Sequence, residues 1–120
     1  MDRRIFHIVS QLSNGLGRQW AVVKMAEEVR MSVSQFRRLF KDQVGQTPVE
    51  FLNQLRLAKA HELLSDPKCF LQIKEIGASV GYVDKSRFTR EFKSKYGLTP
   101  SEFRDKQAEI EQSKVKVLHK

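Results

Sequence analysis

The stretch "GQTPVEF" at residues 45–51 returns as "GLTPSEF" at 97–103, and the echo extends well beyond it. Val22, Met25, Ala26, Val29 and Met31 recur 51 residues later as Ile73, Ile76, Gly77, Val80 and Tyr82. Phe36, Phe40, Gly45, Thr47 and Pro48 recur 52 residues later as Phe88, Phe92, Gly97, Thr99 and Pro100, so one residue is inserted around "GYVDKS". A duplication that keeps its apolar positions in register on both sides of one insertion commits the chain to two copies of one small unit.

The repeated stretch is helix punctuation. Gly45 and Gly97 are stops, because glycine enters the left-handed region beyond a helix end without steric penalty. Thr47 and Thr99 are expected N-caps, with Pro48 and Pro100 suited to the first helical position. Glu50 and Glu102, three residues after each threonine, complete the pattern of a capping box. Phe51 and Phe103 anchor the new helix in a core.

Apolar spacing predicts the remaining helices. Ile5, Ile8, Val9, Leu12 and Leu16 mark a first helix broken by Gly15 and Gly17. A short second helix covers Val22 to Val29, and a third runs from Val33 to the stop at Gly45. A fourth occupies 48–65 and ends at Asp66-Pro67. It has two apolar faces, Phe51, Leu52, Leu55 and Ala58 on one and Leu57, Ala60 and Leu64 on another, as a spine between two modules requires. The fifth and sixth helices repeat the second and third. The last begins at Pro100 and fades through "QAEIEQSK" into a tail, "VKVLHK", that is expected to fray. No segment has strand alternation with turn chemistry around it. The expected fold is therefore all-α: two helix-turn-helix subdomains, about seven helices in all, joined by a long central helix. Within a single domain of 1–120, the first subdomain is placed at 3–46, the linking helix at 47–66, the second subdomain at 67–112 and the frayed tail at 113–120.

Lys and Arg number 22 against 14 Asp and Glu, a net charge of +8 that suits a polyanionic partner. No apolar run approaches the ~20 residues of a membrane span, and the first residues lack the apolar region of a signal peptide. Cys69 is the single cysteine, so neither a disulfide framework nor a cysteine metal cluster is expected, and a cytoplasmic location follows. His7, His61 and His119 are dispersed and no nucleophile, phosphate-loop or zinc motif is present, so neither catalysis, a cofactor nor a metal is expected. Reading RNA would call for exposed aromatics, yet the phenylalanines fall on core positions. A membrane-surface helix would need its apolar face free, which a repeat-built core does not allow.

Each unit is a short helix, a tight turn and a second helix with a polar, basic outer face. Ser34, Arg37, Arg38 and Lys41 fall at i, i+3, i+4 and i+7, away from Phe36 and Phe40. Ser86, Thr89, Arg90 and Lys93 repeat that spacing, away from Phe88 and Phe92. A helix of this kind fits the major groove of DNA, where an arginine fork can bond O6 and N7 of guanine. The bland alternatives are a basic protein-interaction module or one that grips nucleic acid without reading it.

The segments "MAEEVRMSVSQFRRLFKDQVGQTPVEFL" and, more specifically, "VGYVDKSRFTREFKSKYGLTPSEFR" resemble the double helix-turn-helix DNA-binding domain of AraC/XylS-type transcriptional regulators. The resemblance covers about residues 3–112. It implies two recognition helices reading successive major-groove segments of double-stranded DNA. Its base-contacting positions fall on Ser34, Arg37 and Arg38 in the first unit and on Lys85, Ser86 and Arg90 in the second. Lys41, Thr89 and Lys93, with the helix starts at Pro48 and Pro100, are the implied backbone contacts. RNA polymerase is the implied protein partner, and the family commonly carries a sensor or dimerisation domain that this sequence does not include. Ala21 and Gln72 stand where the family commonly has a Ser or Thr cap, which predicts weaker starts for the second and fifth helices. Gly77 stands where alanine is usual, at a cost of about 1 kcal/mol of helix propensity unless close packing requires it.

Overall fold

A computed structural model describes residues 1–118, with side chains through Val115. Seven helices and no strand are present among the described residues: α1 (Arg3–Asn14), α2 (Val22–Glu28), α3 (Val33–Val44), α4 (Pro48–Ser65), α5 (Ile73–Ser79), α6 (Lys85–Tyr96) and α7 (Pro100–Leu118). The sequence suggests fraying from residue 113, whereas α7 continues as helix to Leu118. His119 and Lys120 of that tail lie outside the described residues.

The chain divides into two compact units between Arg56 and Leu57, inside α4. In the first unit, Ile5, Ile8 and Leu12 of α1, Met25 and Ala26 of α2, Phe36 and Phe40 of α3 and Leu52 of α4 form the buried core, with Phe51 and Leu55 packed against it. In the second, Ile76, Val80, Tyr82, Phe88 and Phe92 enclose a core with Leu57, Ala60 and Leu64. The two halves of α4 are thus absorbed into different cores, as its two apolar faces anticipate. Ala58 is the exception: it is exposed and belongs to neither.

The punctuation acts where the sequence places it. Gly45 and Gly97 adopt the left-handed conformation, at φ 88° and 83°, and their N–H groups donate to Lys41 O and Lys93 O. At the start of α7 the capping box is complete, with Glu102 N–H donating to Thr99 Oγ1 (3.1 Å) and Thr99 N–H to Glu102 Oε1 (2.9 Å). At the start of α4 only the threonine half forms, Glu50 N–H donating to Thr47 Oγ1 at 3.2 Å.

One arginine in each unit fastens the loop ahead of its helix-turn-helix. From α4, Arg56 donates to the carbonyls of Leu16 (3.1 Å) and Arg18 (3.0 Å). From α7, Arg104 donates to the carbonyls of Leu71 and Cys69, the latter at 2.9 Å. Each planar fork ties together two carbonyls that secondary structure leaves without partners, a task a lysine point charge performs less well.

His61 lies in an aromatic layer of the second unit, with ring centroids 4.6 Å from Tyr96 and 4.5 Å from Phe103. Burial pushes the Tyr96 phenol above its ordinary pKa. The histidine thus serves packing in the spine, consistent with its place on the inner side of α4.

Candidate nucleic-acid interface

The two turns are built alike. Met31 N–H donates to Ala26 O and Tyr82 N–H donates to Gly77 O, each at 2.9 Å, which folds the chain back before the second helix of each pair. The helix that follows is capped at once. Ser32 Oγ accepts from Gln35 N–H (3.2 Å) while Gln35 Oε1 accepts from Ser32 N–H (3.4 Å), a reciprocal box that firms the start of α3. Asp84 Oδ1 accepts from Ser86 N–H at 2.9 Å at the start of α6.

With Phe36 and Phe40 fully buried, the geometry of α3 turns Ser34, Arg37, Arg38 and Lys41 outward, and all four are exposed. With Phe88 and Phe92 fully buried, α6 likewise exposes Ser86, Arg90 and Lys93 together with Lys85, while Thr89 is half-buried. Arg37, Arg38, Lys41, Lys85 and Arg90 form no ion pair among the described residues, so their charges are available to a partner. Arg87, equally basic and also on α6, is committed elsewhere: it pairs with Glu91 at 2.8 Å and lies 6.0 Å from the Tyr82 ring.

The rings of Pro48 and Pro100 are fully buried and proline has no N–H, so neither residue offers a contact group of its own. The first N–H groups at these starts are those of Val49 and Ser101, while the N–H groups of Glu50 and Glu102 are held by Thr47 and Thr99. The weak cap expected at Ala21 is present, since α2 has no side-chain cap bond. At Gln72 the weakness is offset from below: Glu75 Oε1 accepts from Gln72 N–H at 3.0 Å.

Sequence reasoning did not find the Arg56 and Arg104 fastenings. Neither position belongs to the duplicated pattern, and the only signal is a cation beside core residues on α4 and α7. It located the insertion in the turn of the second unit, around "GYVDKS", without saying which residue it exposes: Tyr82 is buried and Val83 is 86% exposed.

Two short helices folded across a tight turn, the second capped at its start and basic on its outer side, define the helix-turn-helix class. Residues 25–106 match the helix-turn-helix domain family. The chain is 33% identical over 103 residues to the HTH-type transcriptional regulator MtrA of Neisseria gonorrhoeae, a match covering 86% of this chain and 34% of that protein. Among solved structures it resembles an AraC-type transcriptional regulator from Chromobacterium violaceum, with TM-score 0.75, 27% identity and 88% and 92% of the two chains covered. It shares the fold of the DNA-binding domain of AdpA, solved in complex with a target DNA, with TM-score 0.81, 22% identity and 87% and 92% coverage. The chain belongs to the AraC-type helix-turn-helix family. It spans about a third of the length of the curated relatives it matches.

Proposed function

We propose that this chain is a sequence-specific double-stranded-DNA-binding transcriptional regulator, or the DNA-binding domain of one. The observation that carries the reading is the repetition of one exposed, unpaired basic face on α3 and α6, each set opposite a pair of buried phenylalanines. A basic face that occurred once would be ordinary solvated surface; one maintained at equivalent positions of both repeats is a pair of reading heads. Ser34, Arg37 and Arg38 read base edges from α3, and Lys85, Ser86 and Arg90 from α6. Lys41, Thr89, Lys93 and the amides of Val49 and Ser101 hold phosphates. The net charge of +8 supplies sequence-independent attraction.

Residues 3–46 and 67–112 form the two reading subdomains, and the linker at 47–66, which contains α4, joins them. The named relatives are transcriptional regulators, which supports a binding role without catalysis. No helix among the described residues is long and apolar enough to cross a membrane. In this reading the protein works on DNA in the cytoplasm, and RNA polymerase is its protein partner.

The test is selection from a random duplex library at two salt concentrations. An enriched motif with two half-elements about one helical turn apart, and affinity falling steeply with salt, is the expected outcome. Salt-dependent binding without any motif would instead make the chain a phosphate-gripping module.

A further inference from the structure

The inserted residue of the second repeat can be identified in the structure. Met31 corresponds to Tyr82 through their matching turn hydrogen bonds, and the N-cap Ser32 corresponds to the N-cap Asp84. In the first unit the buried-side residue and the cap are adjacent. In the second, Val83 stands between them.

The insertion changes what the turn presents. Gly81, at φ 105°, carries the chain through the left-handed region, and Tyr82 turns inward to lie 5.3 Å from the Phe88 ring. The extra residue cannot also turn inward. Val83 is left 86% exposed, directly before the cap of α6 and beside the exposed Lys85 and Ser86. In a helix-turn-helix the amino-terminal end of the second helix is the end that approaches the base edges. Val83 therefore sits at the leading edge of the reading head as a bare branched hydrocarbon. Among the groups on the major-groove floor, the thymine 5-methyl is the apolar one, and an apolar side chain is its complement.

Resting on the DNA-reading function above, we infer that Val83 is a specificity residue that recognises the 5-methyl group of a thymine in the half-site bound by α6. The first unit has no equivalent residue, so the methyl requirement is confined to one half of the site. The polar groups of Lys85, Ser86 and Arg90 contact other edges of the same half-site, and Val83 adds discrimination without adding charge.

Deoxyuridine differs from thymidine only in lacking that methyl, which supplies the test. Once a motif has been selected with the wild-type chain, each thymine in it is replaced singly by deoxyuridine, and binding is measured for the wild type, Val83→Ala and Val83→Ser. One position in the α6 half-site is expected to lose roughly fourfold in wild-type affinity, the worth of one buried methyl. In Val83→Ser the thymine-to-deoxyuridine ratio at that position falls to about one, while the losses at other positions stay as in the wild type. Absence of any deoxyuridine-sensitive position in that half-site overturns the inference and leaves the DNA-reading function standing. So does a sensitive position that remains equally sensitive in Val83→Ser, or a uniform loss across all sequences, which would mean that Val83 packs on the sugar-phosphate backbone. If the wild type enriches no motif at all, the reading function itself fails, and the inference with it.

Discussion

The ring of Phe88 lies directly over the α-carbon of Gly77: a β-carbon built at Gly77 would stand 2.8 Å from Phe88 Cδ2, closer than real β-carbons come to any atom. The equivalent pair in the first unit is Ala26 and Phe36, where a methyl group is present and both residues are buried. The difference traces to the turn. Tyr82 occupies the place of Met31 with its ring tilted 35° to that of Phe88 at 5.3 Å, so the second core holds an added ring where α5 carries no methyl.

Gly77→Ala should therefore destabilise the protein, although alanine is the better helix former. Overpacking in a closed core costs about 1–3 kcal/mol, whereas the propensity gain is at most about 1 kcal/mol. Urea denaturation measures the balance. A Gly77→Ala protein more stable than the wild type would show that the Phe88 ring moves aside freely.

Arg30 holds φ 59° at the position where the second turn uses Gly81. A non-glycine residue in this region costs on the order of 1 kcal/mol. Arg30→Gly should leave stability unchanged or raise it by up to about 1 kcal/mol, since relief of strain outweighs the added freedom of the unfolded chain. A fall in the thermal midpoint would contradict this.

Arg104→Lys should loosen the loop ahead of α5. Lysine cannot reproduce the paired bonds to Cys69 O and Leu71 O, and the loss of a charge-assisted pair at a half-buried site costs about 1.5–3 kcal/mol. Hydrogen exchange resolved along the chain should report faster exchange at residues 66–72, with the first unit unaffected.

Acid should weaken the start of α1. Bonds from the Arg4 side chain and from the Arg4 N–H hold the Asp2 carboxyl down from 3.8 to about 2. A depressed folded value means that the contribution is fully present above the ordinary carboxylate range and is lost as pH falls through the folded value. Stability should accordingly decline between about pH 4 and 2, and Asp2→Asn should flatten that part of the profile. Glu102 adds to the slope in the same sense, since the Thr99 N–H holds its carboxyl low.

Arginine and lysine on the basic faces of α3 and α6 should separate by what they do to specificity. Arg37→Ala, Arg38→Ala and Arg90→Ala are each expected to cost about 1–3 kcal/mol of binding and to relax preference at one base position. Lys41→Ala should weaken binding to all sequences alike and reduce the salt slope by about 1. Because these side chains are exposed, circular dichroism should show folding intact.

Much of the architecture was legible because it is written in local rules. The left-handed glycines at 45 and 97, the threonine caps and the buried phenylalanine pairs each depend on a few neighbouring residues. A duplicated sequence shows every such rule twice. The outward basic faces follow from the same logic, since on a helix the burial of Phe36 and Phe40 dictates which residues face outward. Legibility failed wherever a partner distant in sequence decided the outcome. Nothing near Ala58 in the sequence says that it escapes both cores.

The sequence by itself determined two repeated helix-turn-helix units, their helix limits and the basic faces of α3 and α6, because period, capping and charge are properties of short segments. Only the tertiary structure decided that Gly77 makes room for Phe88, that Arg56 and Arg104 fasten the loops, and that the one inserted residue leaves Val83 outward beside Asp84. Those outcomes depend on which atoms from distant parts of the chain compete for the same space and the same hydrogen bonds, and that competition exists only once the chain has packed.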